Sequence, residues 1–119
     1  MAFKIILLSE QAIRRINKDR FVRQNLSKYV NVIKGIFQSG RDYPTEIIGK
    51  FFISPRGRTP IRVAWIQDGD VLKICDLLYE EKAGTYVDRF NDKAREKKLT
   101  PESYSQFRPV SEFPELTAM

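Results

Sequence analysis

The chain of 119 residues is long enough for one domain with its own core, and 42% hydrophobic and 12% aromatic residues are typical of a folded protein. The absence of histidine and the single cysteine, Cys75, exclude imidazole acid–base chemistry, a histidine-containing zinc site and an internal disulfide. The net charge of +6 favours a polyanionic partner, with a soluble basic domain as the alternative.

The positive charge lies in the first part of the chain. Residues 1–67 hold 13 Lys/Arg and 4 Asp/Glu, residues 68–98 hold 7 and 8, and residues 99–119 hold 1 and 3. No Asp/Glu cluster stands at metal-ligand spacing, so we predict neither a metal nor another cofactor. The apolar run at residues 3–8 is too short to cross a bilayer and no targeting segment is present, which makes the cytoplasm the expected location.

The first elements in chain order are a buried strand and one or two helices. Residues 3–8 are short and almost continuously apolar, which predicts the strand. Ser9 is placed to cap a helix and Asp19 to cap a second one, and Gly40 is expected to end the helical region. Between these caps, apolar residues recur at helical spacing and predict one core-facing stripe: Val22, Leu26, Tyr29, Val30, Ile33, Ile36 and Phe37.

The opposite faces of these helices are predicted to be basic, with almost no acidic residue between the cations. Two interpretations stay open, a stripe that binds nucleic acid and an ordinary solvated helix face. The cations concerned are Arg14, Arg15, Lys18, Arg20, Arg23, Lys28 and Lys34.

After a turn around Pro44, the pattern predicts three successive antiparallel strands, at residues 50–54, 61–67 and 71–78. Asp68-Gly69-Asp70 joins the last two, and Asp-Gly between apolar runs is a strong hairpin signal. The first two are joined by residues 55–60, where a proline at each end excludes a regular ladder and predicts a wide loop that carries Arg56 and Arg58.

The middle strand of this meander carries an arginine among apolar residues. Side chains alternate along a strand, so Ile61, Val63 and Trp65 are expected on one face. Arg62 then shares the other face with apolar neighbours, which makes it the first candidate for a functional residue.

The rest of the chain is predicted to hold one helix and an extension. Thr85 is placed to cap a helix that begins at Tyr86, and prolines preclude long elements after residue 100. We therefore predict a small α+β domain at residues 1–98, in the order β-α-(α)-β-β-β-α, with a sheet of about four strands. An N-terminal helical hairpin or long helix covers one sheet face, and residues 99–119 form an extension of uncertain structure.

This order of elements resembles the RelE/ParE superfamily of bacterial toxins. The similarity covers roughly residues 1–98 and rests on Lys4-Ile-Ile-Leu-Leu-Ser-Glu10, on Ile61-Arg-Val-Ala-Trp65, on the Asp-Gly turn and on Tyr86 at the last helix. The resemblance implies a toxin of a type II toxin–antitoxin system that cuts messenger RNA on the ribosome without a metal. A 2′-hydroxyl attacks the adjacent phosphodiester, which requires a base, cations and an acid.

The resemblance also implies residue roles. The residues with an implied catalytic role are Arg62, Tyr86, Lys82 and Arg58, and those with an implied RNA-binding role are Lys50, Arg56, Tyr79, Arg14, Arg15 and Arg23. Tyr79 stands where some relatives have a histidine, Glu80 and Glu81 stand where an arginine is expected, and Glu46 is either a base or a surface residue.

Two other functions remain open on the same fold. The first is a non-catalytic protein, either a ParE-type gyrase inhibitor or a basic adaptor, which the missing histidine and the acidic pair at residues 80–81 favour. The second is peptide recognition by strand addition or in an apolar groove. Membership of the superfamily would further imply an antitoxin protein as a partner besides RNA, and no membrane.

Overall fold

Helices and strands follow one another much as the hydrophobic pattern predicts. The computed structural model describes residues 3–55, 60–79, 90, 93–94 and 98–112. Its α-helices are α1 (Glu10–Lys18), α2 (Arg20–Gln24) and α3 (Leu26–Ser39). Its strands are β1 (Ile5–Leu8), β2 (Glu46–Ile48), β3 (Phe51–Ile53), β4 (Ile61–Asp68), β5 (Val71–Tyr79) and β6 (Arg108–Pro109). Within these ranges no helix has the length and apolar character needed to cross a membrane.

The strands form one mostly antiparallel sheet in the order β2-β3-β4-β5-β1-β6. The exception is β1, which runs parallel to β5 and pairs with residues Val71–Ile74 of that strand. Residues 75–79 of β5 therefore extend beyond the end of β1. In that part of β5, side chains of the α1 region make the contacts. The Ser9 hydroxyl donates to the Cys75 carbonyl, and Arg15 contacts Asp76.

The predicted meander is confirmed in β4 and β5. Asp68 pairs with Val71, and Gly69 between them has a φ of +61°, the left-handed conformation that the Asp-Gly signal implies. The predicted alternation along β4 is also confirmed, since Val63 and Trp65 pack on the helix side and Ala64 packs on the other side.

The predicted count of about four strands is too low, because the described residues form six. The turn region assigned around Pro44 ends before Glu46, where β2 begins. A turn at Gly49-Lys50, with Gly49 at a φ of +59°, joins β2 to β3. β2 has three residues and β6 has two. Strands this short produce no period-2 signal, so the sequence pattern did not predict them.

The helix boundaries agree with the predicted caps. The Ser9 side chain accepts a hydrogen bond from the Ala12 N–H at 3.0 Å, and the Asp19 side chain accepts one from the Val22 N–H at 3.2 Å. Gly40 caps the end of α3 at a φ of +58°. The caps divide the predicted helical region into three helices, which pack on one face of the sheet.

The main hydrophobic core lies between these helices and the sheet. The predicted stripe is confirmed, since Val22, Tyr29, Val30, Ile33 and Ile36 are all buried. Burying this many aliphatic and aromatic side chains is the dominant stabilising contribution. The sheet residues in this core are Leu8, Ile61, Val63, Trp65, Leu72, Ile74 and Leu77.

A second, smaller core covers the opposite face of the sheet. A bulge in β5 contributes to it: Ala64 pairs with Asp76 and Trp65 pairs with Ile74, which leaves Cys75 as an extra residue between them. Cys75 is buried, as its position in an apolar strand predicts, and burial raises the pKa of its thiol to about 12. The cluster also contains Ile48, Phe51, Ile53, Ala64, Leu78, Phe90 and Ala94, with Ile66, Leu99, Tyr104 and Phe107 at its edge.

Part of this cover comes from the predicted C-terminal extension. Leu99, Tyr104 and Phe107 of this segment pack on the second face, and β6 then pairs antiparallel to β1. Phe90, Lys93 and Ala94 are helical, whereas the predicted helix start at Thr85 and Tyr86 lies outside the described residues. The described chain is thus a single α+β domain with helices on one face and C-terminal residues on the other.

Candidate functional site

Arg62 is buried near the start of β4 and contacts a carboxylate. Its Nε donates to the Ser54 carbonyl oxygen at 2.9 Å, and its Nη2 donates to Glu46 Oε2 at 2.7 Å. Only 7% of the Arg62 side chain is exposed, compared with 50% of the Glu46 side chain. The arginine lies on the face opposite Val63 and Trp65, as predicted, and this is the face away from the helices, but its guanidinium is largely withdrawn from solvent.

The fold explains why Glu46 reaches Arg62. Glu46 opens β2 and pairs with Ile53 of β3, which in turn pairs with Ala64 of β4. Ser54 follows β3 directly, so its carbonyl faces the same arginine. A short contact between guanidinium and carboxylate fixes both groups, and the exposed side of the carboxylate can still accept a proton from a bound molecule. The geometry therefore favours a site role for Glu46, which the sequence left between a base and a surface residue.

The other described candidates do not join this pair as one cluster. Lys50 is exposed in the turn between β2 and β3. Tyr79 pairs with Ile61, whereas Arg62 pairs with Leu78, so Tyr79 points to the helix side of the sheet. Its ring lies 4.4 Å from that of Phe21, centroid to centroid, which is a packing contact.

The helix arginines are of two kinds. Arg14 and Arg23 are exposed, and they contact Glu10 and the Asn17 carbonyl respectively. The expectation that Arg15 shares this exposed basic face is wrong, because Arg15 is 8% exposed and is held inside the protein. Its guanidinium lies beside two carboxylates, which compensate the cost of burying its charge.

The remaining candidates lie outside the described residues. They are the loop arginines Arg56 and Arg58, the residues Lys82 and Tyr86 before and at the predicted last helix, and the acidic pair Glu80 and Glu81.

A second buried charged cluster, not predicted from the sequence, joins α1, β5 and the C-terminal residues. Arg15 Nε donates to Asp76 Oδ1 at 3.1 Å, and Arg15 Nη1 contacts Asp19 Oδ2 at 3.3 Å. The Leu77 N–H also donates to Asp76 Oδ1, and the Tyr104 hydroxyl donates to Asp76 Oδ2 at 3.2 Å. One sequence signal could have indicated this cluster: Asp76 is a charged residue within the apolar run of β5, just as Arg62 is within β4.

Burial dominates the electrostatics of this cluster. It raises the pKa of Asp76, while Arg15 acts in the opposite direction by favouring the ionised carboxylate. Burial and the nearby Asp76 charge also raise the pKa of Tyr104, so its hydroxyl stays protonated and available as a donor. The cluster is well suited to hold charged groups in a fixed arrangement.

Comparison with known proteins assigns no family to the chain, so its function has to be inferred from the site. No protein-family model and no curated protein matches the chain. Within the described ranges, no group of three or more cysteine or acidic residues is placed to hold a metal ion.

Proposed function

We propose that this chain is a toxin of a type II toxin–antitoxin system that cleaves messenger RNA on the ribosome in the cytoplasm. The resemblance of residues 1–98 to the RelE/ParE superfamily supports the proposal. The element order supports it as well, since β1, the helices and the antiparallel meander occur in the sequence that the resemblance implies. The basic first half of the chain suits both an RNA substrate and an acidic antitoxin.

The observation that carries the proposal is the contact between Glu46 and Arg62. Cleavage by a 2′-hydroxyl needs a group that removes its proton, and a half-exposed carboxylate fixed at 2.7 Å from a guanidinium is suited to that role. Arg62 then acts mainly by holding Glu46 in a fixed orientation, because its own side chain has little exposed surface.

The remaining roles go to positions that the resemblance indicates. As the 2′-oxygen bonds to phosphorus, negative charge accumulates on the phosphate oxygens and must be stabilised by cations. We assign this role to Lys50, exposed beside β3, together with Arg56 and Arg58. The bond to the 5′-oxygen then breaks, and that oxygen takes a proton from Tyr86 or Lys82, the positions that the resemblance indicates.

The test is to induce the protein in a bacterium and map transcript ends in translating and in translation-arrested cells. Wild type is expected to give codon-phased cuts only during translation. Glu46→Gln removes the proton acceptor and keeps the side-chain size, so it is expected to lower the cutting rate by about 10²- to 10⁴-fold. Arg62→Ala is expected to lower it as well, because Glu46 loses its orienting partner.

The matched control is Asp70→Asn, the same change from carboxylate to amide at an exposed residue just before β5. It is expected to cut like wild type. Cuts that persist unchanged in Glu46→Gln, or that appear without translation, would contradict the proposed mechanism.

A second function is favoured by the burial of Arg62. A guanidinium that is 7% exposed and held by Ser54 and Glu46 is poorly placed to bind a phosphate directly. This favours a non-catalytic protein on the same fold, either a gyrase inhibitor of the ParE type or a basic adaptor. Growth arrest with DNA damage and intact messages would support the gyrase inhibitor, and the absence of any growth phenotype would support the adaptor.

A further inference from the structure

A cavity of about 470 Å³ lies away from the contact between Arg62 and Glu46, between α1, β5 and the C-terminal residues. Its volume falls within the range of about 300–1,000 Å³ that is usual for small-molecule sites. Neither Arg62 nor Glu46 lines it. The described residues that line it are Glu10, Gln11, Arg14, Arg15, Asp76, Phe90, Lys93, Leu99, Ser103, Tyr104 and Ser105.

The buried wall of this cavity includes a carboxylate with spare capacity to accept hydrogen bonds. Asp76 Oδ1 accepts from Arg15 and from the Leu77 N–H, whereas Oδ2 accepts from Tyr104 alone among the described residues. A carboxylate offers about four acceptor positions, so one remains on Oδ2. Asp76 is 4% exposed, and an N–H group of a ligand would therefore meet it out of competition with bulk water.

The other walls differ in chemistry between the inside and the mouth. Phe90, Leu99 and Tyr104 give the cavity apolar and aromatic surface. Arg14 and Lys93 are exposed cations of the same cavity. Arg14 contacts Glu10 at 3.4 Å, an exposed ion pair of the kind that contributes little, and Lys93 makes no ion pair with any described residue. An anion in the cavity therefore has two exposed cations along the lining.

We propose that this cavity binds a nucleotide whose base carries an exocyclic amino group, with the amino group on Asp76 and the phosphate near Arg14 and Lys93. The base lies against the aromatic and apolar walls, where a flat ring gains stacking contacts. A base with a carbonyl oxygen at the same position is disfavoured, because that oxygen would face the carboxylate. The site goes beyond the proposed function, since neither RNA cleavage nor the antitoxin requires it.

The combination of groups favours a nucleotide over a simpler ligand. Inorganic phosphate can use the two exposed cations but leaves Asp76 and the apolar walls without a role. A nucleotide uses the carboxylate, the walls and the cations together, and its two possible sources are a free nucleoside monophosphate and a nucleotide within single-stranded RNA.

The test is calorimetric titration of the full chain with two matched ligand pairs, CMP against UMP and AMP against IMP. The two members of each pair have almost the same size, but one carries an amino group where the other carries a carbonyl oxygen. The amino-bearing member is expected to bind about tenfold more tightly, within the discrimination that one well-placed hydrogen bond to a base provides. Equal affinities within each pair, or no binding, would overturn the proposal.

Variants locate the binding. Arg14→Ala and Lys93→Ala are each expected to weaken CMP binding several-fold, because each removes an exposed cation near the phosphate. The control is Lys4→Ala, an exposed cation before β1, which is expected to bind CMP like wild type. Binding that falls equally in all three would reveal nonspecific charge attraction and overturn the site.

Asp76→Asn is expected to remove the preference for CMP over UMP, provided that circular dichroism shows a folded protein. If Asp76→Asn does not fold, Ser105→Trp tests the location instead. Ser105 is an exposed residue of the cavity lining, and a tryptophan there would obstruct the cavity. CMP binding that survives Ser105→Trp unchanged would contradict the location.

Short RNA distinguishes the two sources. Oligocytidylate that binds more tightly than CMP, while oligouridylate does not bind more tightly than UMP, would identify RNA as the source. Equal binding of CMP and oligocytidylate would identify the free nucleotide. These measurements need no ribosome and report no cleavage, so failure of this site leaves the proposed cleavage function standing, and the reverse also holds.

Discussion

Arg15 and Arg62 are both buried against carboxylates, but their partners differ in exposure. The Arg15 side chain is 9% exposed and its partner Asp76 is 5% exposed. Arg62 is 7% exposed and its partner Glu46 is 50% exposed. In the first pair both charges are inside the protein, whereas in the second a charged oxygen faces solvent. The exposure of the carboxylate, rather than that of the arginine, therefore separates the two pairs.

The two pairs also differ in how completely they are surrounded. Asp76 accepts hydrogen bonds from the side chains of α1 and of the C-terminal segment, so it joins elements that are distant in sequence. A buried charge of this kind is tolerated only because its partners compensate for lost hydration. Glu46 has water available as an alternative partner, which lowers the cost of changing it.

Asp76→Ala should therefore have the largest effect on stability. It leaves the Arg15 charge inside the protein, with Asp19 at 3.3 Å as its remaining carboxylate contact among the described residues. Because removing one member of a buried pair costs about 3–5 kcal/mol, and Asp19 still compensates part of the charge, we expect a loss of about 3 kcal/mol in the free energy of unfolding. Urea denaturation of wild type and variant measures it.

Two controls test whether partner exposure is the cause. Glu46→Ala is expected to cost only about 1 kcal/mol, because water can replace the half-exposed carboxylate at Arg62. Asp68→Ala removes an exposed contact to Lys73 and is expected to change stability by less than about 0.5 kcal/mol. Equal losses for Asp76→Ala and Glu46→Ala would show that exposure of the carboxylate does not separate the pairs.

Tyr104→Phe should have a smaller effect on the first pair. It removes the hydroxyl that donates to Asp76 Oδ2 and keeps the ring that packs edge-on against Phe51. A hydrogen bond to a charged acceptor contributes about 1.5–3 kcal/mol, and at 3.2 Å we expect about 1.5 kcal/mol of lost stability in urea denaturation.

Tyr43→Phe provides the matched control, because the Tyr43 hydroxyl makes no hydrogen bond with any described residue. It is expected to leave stability unchanged within about 0.5 kcal/mol. A loss as large as that of Tyr104→Phe would mean that the Tyr104 hydroxyl does not support Asp76.

The sequence predicted the parts of this comparison that depend on local pattern. The alternation along β4 placed Arg62 on the correct face, and the caps at Ser9 and Asp19 follow from residue type. Both signals depend only on residues that are close together in the sequence.

The partners could not be predicted, because they depend on long-range pairing. Glu46 meets Arg62 only because the short β2 pairs with β3, and Arg15 meets Asp76 only because β1 ends before β5 does. Arg15 stands three residues after Ala12, on the buried side of α1, but an arginine in a helix was expected on the exposed face. The sequence shows that Arg62 and Asp76 are charged residues inside apolar strands. It does not show which oppositely charged residue each of them contacts.

The smallest effect expected is on the pH dependence of stability. Burial raises the folded-state pKa of Asp76 above the ordinary value of 3.8, so in the window between these two pKa values the folded protein binds more protons at this group than the unfolded chain. The stability that protonated Asp76 contributes is complete below the unfolded pKa and is lost as pH rises through the folded one. The free energy of unfolding of wild type, minus that of Asp76→Asn, should therefore fall as pH rises, by less than about 1.4 kcal/mol for each pH unit. Urea denaturation of both proteins from about pH 4 upward measures it, and a difference that grows with pH would mean that Arg15 outweighs burial at Asp76.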